Sequence, residues 1–460
     1  MDISLKSIFF YIKLSVSRSI FFIFNHNSFF CEILAWLCSK SIKEISPDGK
    51  YTNFKSGFNK GMISALFLSH ERFRDDPFVL SATKKVRVLI ITNHWQSRFV
   101  NIYYPQGIVK DMVLQSMEPD SPLVGSQEKF HTFLRVFLTS LYKIVQVDFV
   151  IGSDVRNQFD FDWGVVSKEM GKVYITFHRE NLVASIKSYN TARERMNKHK
   201  RFRGDHIIVH NNIERKMFIE SRYVDESQIS ALGCLRMDNY IKRMKKGNFP
   251  KTKKKRFLFF SFDIPSVGID VYHKVLGAVL QLTIQHPEID VVIKPKADFY
   301  VKGEKKTMDK IFKDAEIYPD KIQNLQILPY EDAQLLILES DVICAINSTV
   351  MLEAGIAGKP IIVPFFKECQ ESDDRLNNIK LKEYFHLFEV AIDEIELKSK
   401  VLKNLCNQIK ISKEIMEGRR KVFEEFVSSM EGNVTEKYLS LLRSMLAKTI
   451  ARNNLTINIL

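Results

Sequence analysis

Between residues 86 and 235, short apolar runs alternate with longer stretches of helical period, and a polar cluster stands wherever a run stops. The run 86–91 ends in Thr92-Asn93-His94, and the run 147–151 ends in Gly152-Ser153-Asp154. The run 173–176 leads into Phe177-His178-Arg179-Glu180-Asn181, and the run 206–210 into Asn211-Asn212. Runs of this length, apolar on both faces, predict buried parallel strands joined by helices. Polar residues at the same end of each strand place the chemistry along one edge of that sheet.

The same rhythm restarts after a lysine-rich stretch. The run 257–260 ends in Ser261-Phe262-Asp263, the spacing over 271–286 predicts a helix, and the run 291–293 ends in Lys294-Pro295-Lys296. A strand follows at 325–328, and 398–447 reads as helical. The most informative stretch is 342–363. A short apolar run breaks at Asn347-Ser348-Thr349, a helix is expected over 350–357, Gly358 and Pro360 end it, and 361–363 resumes as a strand. Strand, short helix and strand form a parallel βαβ unit. Free backbone N–H groups and hydroxyls at the helix start suit a phosphate. Glu353, one helical turn beyond Thr349, could accept hydrogen bonds from ribose hydroxyls. An ordinary helix cap with a solvated glutamate is the competing reading.

At 460 residues the chain is too long for one ordinary core, and 45% hydrophobic residues argue against bulk disorder. The net charge of +14 is concentrated, because 242–256 holds nine basic residues and no acid. Such a run attracts phosphorylated substrates, anionic lipid or nucleic acid, or is simply solvated. It lacks the aromatic interleaving of a nucleic-acid module, so no nucleic-acid partner is expected. Six cysteines are scattered without a CxxC pair, against a zinc site or a disulfide framework. Residues 8–37 are rich in Phe, Ile and Leu, but Lys13, Arg18 and Glu32 interrupt them, so no membrane span is expected. An interfacial helix and a core-packed helix both fit that segment.

Asn347-Ser348-Thr349, Glu353-Ala354 and Gly358-Lys359-Pro360 resemble the carboxyl-domain signature of GT-B glycosyltransferases, in particular those of bacterial capsule and O-antigen biosynthesis. Phe177 to Asn181 is similar to the histidine–base–glutamate segment of that group, and Leu232 to Asp238 to its glycine–arginine–aspartate segment. The resemblance implies an α/β fold of GT-B type: two Rossmann-like domains facing a cleft, with an N-terminal helical segment and a C-terminal helical tail. The expected divisions are 1–45 for that segment, 46–240 for the acceptor domain and 241–256 for a basic linker. The nucleotide-sugar domain would follow over 257–405, and the helical tail over 406–460.

By the same resemblance the protein is a transferase with no bound metal or cofactor, its nucleotide-sugar donor being a substrate. The acceptor would be a glycan or lipid-linked glycan, and the enzyme cytoplasmic, with contact to the inner face of the cytoplasmic membrane. Donor binding falls to Ser261, Lys294, Asn347, Ser348, Thr349 and Glu353. An inverting reaction needs a base, for which His178 and Glu180 are the first candidates, with Asp154 and Asp238 behind them. Related enzymes often carry His-Pro where Lys294-Pro295 stands, so imidazole chemistry is not expected there. A CDP-glycerol-type polyol-phosphate transferase and a sugar-nucleotide 2-epimerase remain alternatives on the same fold.

Overall fold

The computed structural model describes residues 27–56, 61–73, 75–104, 121, 123–178, 183–199, 201–247, 254–297, 300–314, 316–407 and 410–457. Its strands form two sheets. The first contains β1 (Lys43–Ile45), β2 (Tyr51–Asn53), β3 (Ile63–Phe67), β4 (Val86–Ile90), β5 (Phe149–Gly152), β6 (Val173–Phe177), β7 (His206–Val209) and β8 (Ile229–Ala231). Their order across the sheet is β2-β1-β4-β3-β5-β6-β7-β8. β1 pairs antiparallel with β2 and β4, and the remaining pairs are parallel.

The second sheet contains β9 (Arg256–Phe260), β10 (Asp290–Lys294), β11 (Leu325–Ile327), β12 (Val342–Cys344), β13 (Ile361–Pro364) and β14 (Glu389–Ala391). It is parallel throughout, in the order β11-β10-β9-β12-β13-β14. Counted from its first strand this is 3-2-1-4-5-6, the order of a dinucleotide-binding sheet. The parallel part of the first sheet, counted likewise, runs 2-1-3-4-5-6. Each order reverses once, between β9 and β12 in one sheet and between β3 and β5 in the other. Ligands lodge outside the carboxyl ends of the strands at such a reversal. The chain therefore has the expected α/β architecture of GT-B type, two Rossmann-like sheets with helices on their faces.

Every expected strand is present within a residue or two of its boundary, and the helix expected over 271–286 spans Ile269–Gln285. β3 falls outside the alternation read from the sequence. It is a central strand, buried at every position, and Asp148 and the carbonyl of Gln146 accept hydrogen bonds from its Ser64. Burial of the polar residue is satisfied by partners more than eighty residues away, which no local pattern reveals.

Both ends of the chain carry helices that pack on the first sheet's domain. Residues 1–26 lie outside the described residues. Helix α1 (Ser28–Ser41) packs Cys31, Leu34, Ala35, Leu37 and Cys38 into the core formed with α2 (Leu123–Ile144). Each such leucine contributes about 1.5–3 kcal/mol by burial. Its other face leaves Phe29, Ile33 and Trp36 at 68%, 43% and 49% exposure, one helical turn apart. The C-terminal helices pack as well. Helix α3 (Arg236–Lys246) leads out of the first sheet, α4 (Lys413–Phe426) covers the second, and α5 (Val434–Ile457) returns to bury Val434, Tyr438, Leu439 and Leu442 against the first. Among the described residues no helix is long and apolar enough to cross a membrane.

Candidate functional site

At the reversal in the second sheet, Ser261 follows β9, Lys294 ends β10, and 345–349 follow β12. The N–H of Ser261 donates to the carbonyl of Lys294 at 3.2 Å, which ties the first two ends together. The Nζ of Lys294 donates to the carbonyls of Pro295 and Pro329 at 3.0 and 2.8 Å. The hydroxyls of Ser261 and Tyr272 both donate to Oε1 of Glu304, the latter at 3.0 Å. Burial pushes the Glu304 carboxyl up to about 7, against the opposing pull of the Tyr272 hydroxyl and the Lys294 charge.

Beyond β12 the chain turns sharply. Asn347 adopts a left-handed backbone, φ +59°, a conformation asparagine tolerates better than most residues. Its Oδ1 accepts from the N–H of Lys380 at 2.7 Å, and its Nδ2 donates to the carbonyl of Asn378 at 3.2 Å. Thr349 takes the N-cap position of a short helix, Val350–Ile356, but makes no side-chain cap. Ser348 Oγ accepts a long 3.4 Å bond from the N–H of Val350. Two hydroxyls therefore stand at the helix start with little claim on them.

Glu353, expected to meet a ribose, is enclosed by protein groups. It is 0% exposed. Arg236, at the start of α3, meets it with both guanidinium nitrogens, at 2.8 and 3.2 Å. Gln334 Nε2 adds a third donor at 3.1 Å, and the Tyr240 hydroxyl donates to the Glu353 carbonyl at 2.8 Å. A charge removed from water needs this degree of pairing. The glutamate joins the two domains, and a ribose could use it only by displacing Arg236. The Leu232–Asp238 segment was visible in the sequence, but nothing there pointed to a partner 117 residues further on.

At the reversal in the first sheet, Ser69 and Asp160 meet beside β3 and β5. The Ser69 hydroxyl donates to Asp160 Oδ1 at 2.6 Å, and Ser153 donates weakly to Oδ2. Asp154 follows Ser153 and is gripped by Arg156, whose Nε and Nη2 reach it at 3.2 and 2.8 Å. Burial alone would raise the Asp154 carboxyl, but His178 and Arg156 together hold it well below the usual carboxylate range. His178 follows β6, is 3% exposed, and packs edge-on against Phe218. Its Nδ1 lies 3.4 Å from Asp154 Oδ1 without the alignment of a hydrogen bond. Two expected bases, His178 and Asp154, are thus brought together. Glu180 lies outside the described residues.

Asp238 has a different job. Its oxygens accept from the N–H groups of Val434 and Thr435 at 3.0 and 2.7 Å and from the Thr435 hydroxyl at 2.7 Å, so it caps α5. Nearby Gly233 sits at φ +97°, where a Cβ would lie 2.8 Å from both Ser428 and Val434. The glycine–arginine–aspartate segment is thus a structural seam for the returning helix and the second domain.

The two domains touch beyond these edges. Ala184, beyond β6, accepts a hydrogen bond from the N–H of Leu381 at 3.3 Å, and Leu381 follows the Lys380 that Asn347 holds. Ser69, Asp160, Tyr272 and Glu304 were not singled out from sequence, and Arg236 was named only as part of its segment. Among the described residues no group of three or more His, Cys, Asp or Glu could hold a metal ion.

No family model and no curated protein matches the sequence. Solved structures do resemble it at low identity. A putative UDP-N-acetylglucosamine 2-epimerase from Listeria monocytogenes is 13% identical, over 84% of this chain and 97% of that one, with a TM-score of 0.49. The UDP-GlcNAc 2-epimerase of Neisseria meningitidis, solved bound to UDP-GlcNAc, is 13% identical over 83% and 100%, with a TM-score of 0.46. The wall teichoic acid polymerase TagF is 13% identical over 94% and 96%, with a TM-score of 0.48. Likeness at this level carries nothing about chemistry, and the fold stands on the strand orders above.

Proposed function

We propose that the protein is a glycosyltransferase that moves a sugar from a nucleotide-sugar to a growing, lipid-linked surface polysaccharide at the inner face of the cytoplasmic membrane. The observation that supports this most is the different chemistry of the two strand edges. One edge gathers Lys294, Ser261, Ser348 and Thr349, suited to a diphosphate. The other gathers His178 and Asp154, suited to proton transfer, and the Ala184–Leu381 bond links the two domains beyond them.

On this reading the leaving diphosphate is stabilised by hydroxyls, backbone N–H groups and the Lys294 charge as the glycosidic bond breaks. Asp154, 3.4 Å from Nδ1, places a negative charge beside the ring and would favour the imidazolium formed on proton transfer. Nε2, which makes no hydrogen bond among the described residues, takes the proton of the acceptor hydroxyl. The exposed Phe29, Ile33 and Trp36, which follow a stretch of sequence carrying Lys6, Lys13 and Arg18, would rest on the membrane that presents the acceptor.

Incubation with a panel of nucleotide-sugars and CDP-glycerol, with and without lipid-linked acceptor in anionic vesicles, tests the reading. Sugar transfer that requires acceptor supports it. Transfer from CDP-glycerol alone would make the protein a polyol-phosphate transferase, and sugar isomerisation without acceptor would make it an epimerase.

A further inference from the structure

Glu304 is an unexpected neighbour for a phosphate. It reaches the reversal in the second sheet from the segment after β10, is 7% exposed, and takes the hydroxyls of Ser261 and Tyr272 on a single oxygen. Its Oε2 accepts no hydrogen bond among the described residues. An ionised carboxylate here would repel the diphosphate that Ser261 and Lys294 are placed to receive. The groups bearing on it are Tyr272 from the helix Ile269–Gln285, Lys294 from β10, and Tyr300 from its own segment.

The Lys294 charge offsets the burial of Glu304 only in part, its amine also donating to the Pro295 and Pro329 carbonyls. A carboxyl in such surroundings has one low-cost way to share a site with phosphate. It must carry a proton and become a donor itself.

We propose that Glu304 is a proton-carrying residue of the donor site: it binds the donor diphosphate as the neutral acid, with its own O–H donated to a phosphate oxygen. The inference rests on the donor reading above and adds to it a residue and a pH dependence. No bond of the donor is made or broken in this step. A proton enters from water with the donor and returns to water when the nucleotide departs. Burial already holds this carboxyl near neutrality in the empty site, and a bound diphosphate raises it further. The sign follows from linkage. Where the empty site is ionised and the filled one protonated, affinity falls as pH rises, approaching tenfold per unit well above the empty-site value of about 7.

The probes are UDP-N-acetylglucosamine, GDP-mannose and CDP-glycerol, pyrophosphate diesters that do not themselves titrate near neutrality. Binding to the full chain is measured at about pH 6 and about pH 8, in two buffers of different ionisation enthalpy so that proton uptake is read directly. For whichever probe binds, the wild type should lose about tenfold in affinity over that span and take up close to one proton at the upper pH. Glu304→Gln is permanently neutral and keeps a donor, so it should bind at both pH values with less than about twofold change. Tyr272→Phe removes a hydroxyl that favours the carboxylate, so the pH midpoint of binding should move upward.

A pH-independent wild type overturns the inference, as does a Glu304→Gln protein that keeps the full wild-type dependence. So does a folded Glu304→Gln protein that binds at neither pH, because the carboxylate would then be accepting from substrate hydroxyls. Binding of no probe to the wild type at about pH 6 overturns the donor reading itself, and this inference with it.

Discussion

At the carboxyl edge of the second sheet the side chains bond mainly to backbone carbonyls or make long contacts. Lys294 rests on two carbonyls, the hydroxyls of Ser348 and Thr349 make only long contacts, and Glu304 sits near neutrality. At the matching edge of the first sheet the groups are committed to one another. Asp154 is clasped by Arg156 and drawn to His178, and Ser69 is bonded to Asp160. The first arrangement is the one proposed above to take an anion, with long contacts at Ser348 and Thr349 to give up. The second keeps a carboxylate beside a buried histidine, the pair proposed above for proton transfer. Similar topology thus supports two chemistries, set by which residues stand just after the strand ends.

The contrast breaks most directly at His178. His178→Ala should lower turnover by about 10²–10⁴, the loss expected for a general base, with donor affinity nearly constant. Initial rates and calorimetry on the same preparation give both numbers. Wild-type turnover in a folded variant would remove the histidine from the mechanism. A matched loss of affinity would mean that the donor reaches both edges.

The seam between the halves comes next. Arg236→Ala leaves Glu353 charged, buried and unpaired, and should cost about 3–5 kcal/mol in chemical denaturation. Replacing both partners, Arg236→Met with Glu353→Leu, should recover most of that loss. A single variant as stable as the wild type would show that water or a rearranged neighbour satisfies Glu353, and would reopen its role toward ribose.

Smaller for each bond lost is the effect at the donor edge itself. Ser348→Ala with Thr349→Ala should weaken nucleotide binding by about 1.5–3 kcal/mol for each phosphate bond lost, without unfolding the chain. Unchanged affinity would move the phosphate elsewhere.

The acid limb of stability gives the smallest effect. Asp154 is held below its ordinary 3.8, so its contribution is full above that value and is lost as pH falls through the depressed one. Asp154→Asn should flatten that limb and cost about 1.5–3 kcal/mol at neutral pH. An unaltered acid limb would mean that other carboxylates set it.

Much of this could be read from the chain because parallel strands buried on both faces announce themselves as apolar runs, and their polar ends mark one edge. Lys294, Ser261 and the Asn347–Thr349 turn were found that way. What stayed hidden depends on partners far along the chain. Asp238 looked like a candidate base because nothing local shows that it caps a helix beginning at Val434. Glu353 looked solvent-facing because Arg236 arrives from the other domain. β3 was missed because its Ser64 interrupts the apolar pattern, and with it went the Ser69–Asp160 pair at the sheet's reversal. Glu304 follows a segment with no strand or helix signal of its own.

The central claim is that an activated donor binds at the carboxyl edge of the second sheet, against the first. Hydrogen exchange of the full chain with and without a nucleotide-sugar that binds it tests this without any variant. The account predicts slowed exchange at Ser261, around Lys294 and across Asn347–Val350, with weaker protection near His178 and Ala184. Protection confined to the first sheet, with 345–350 exchanging as freely as in the empty protein, would contradict it.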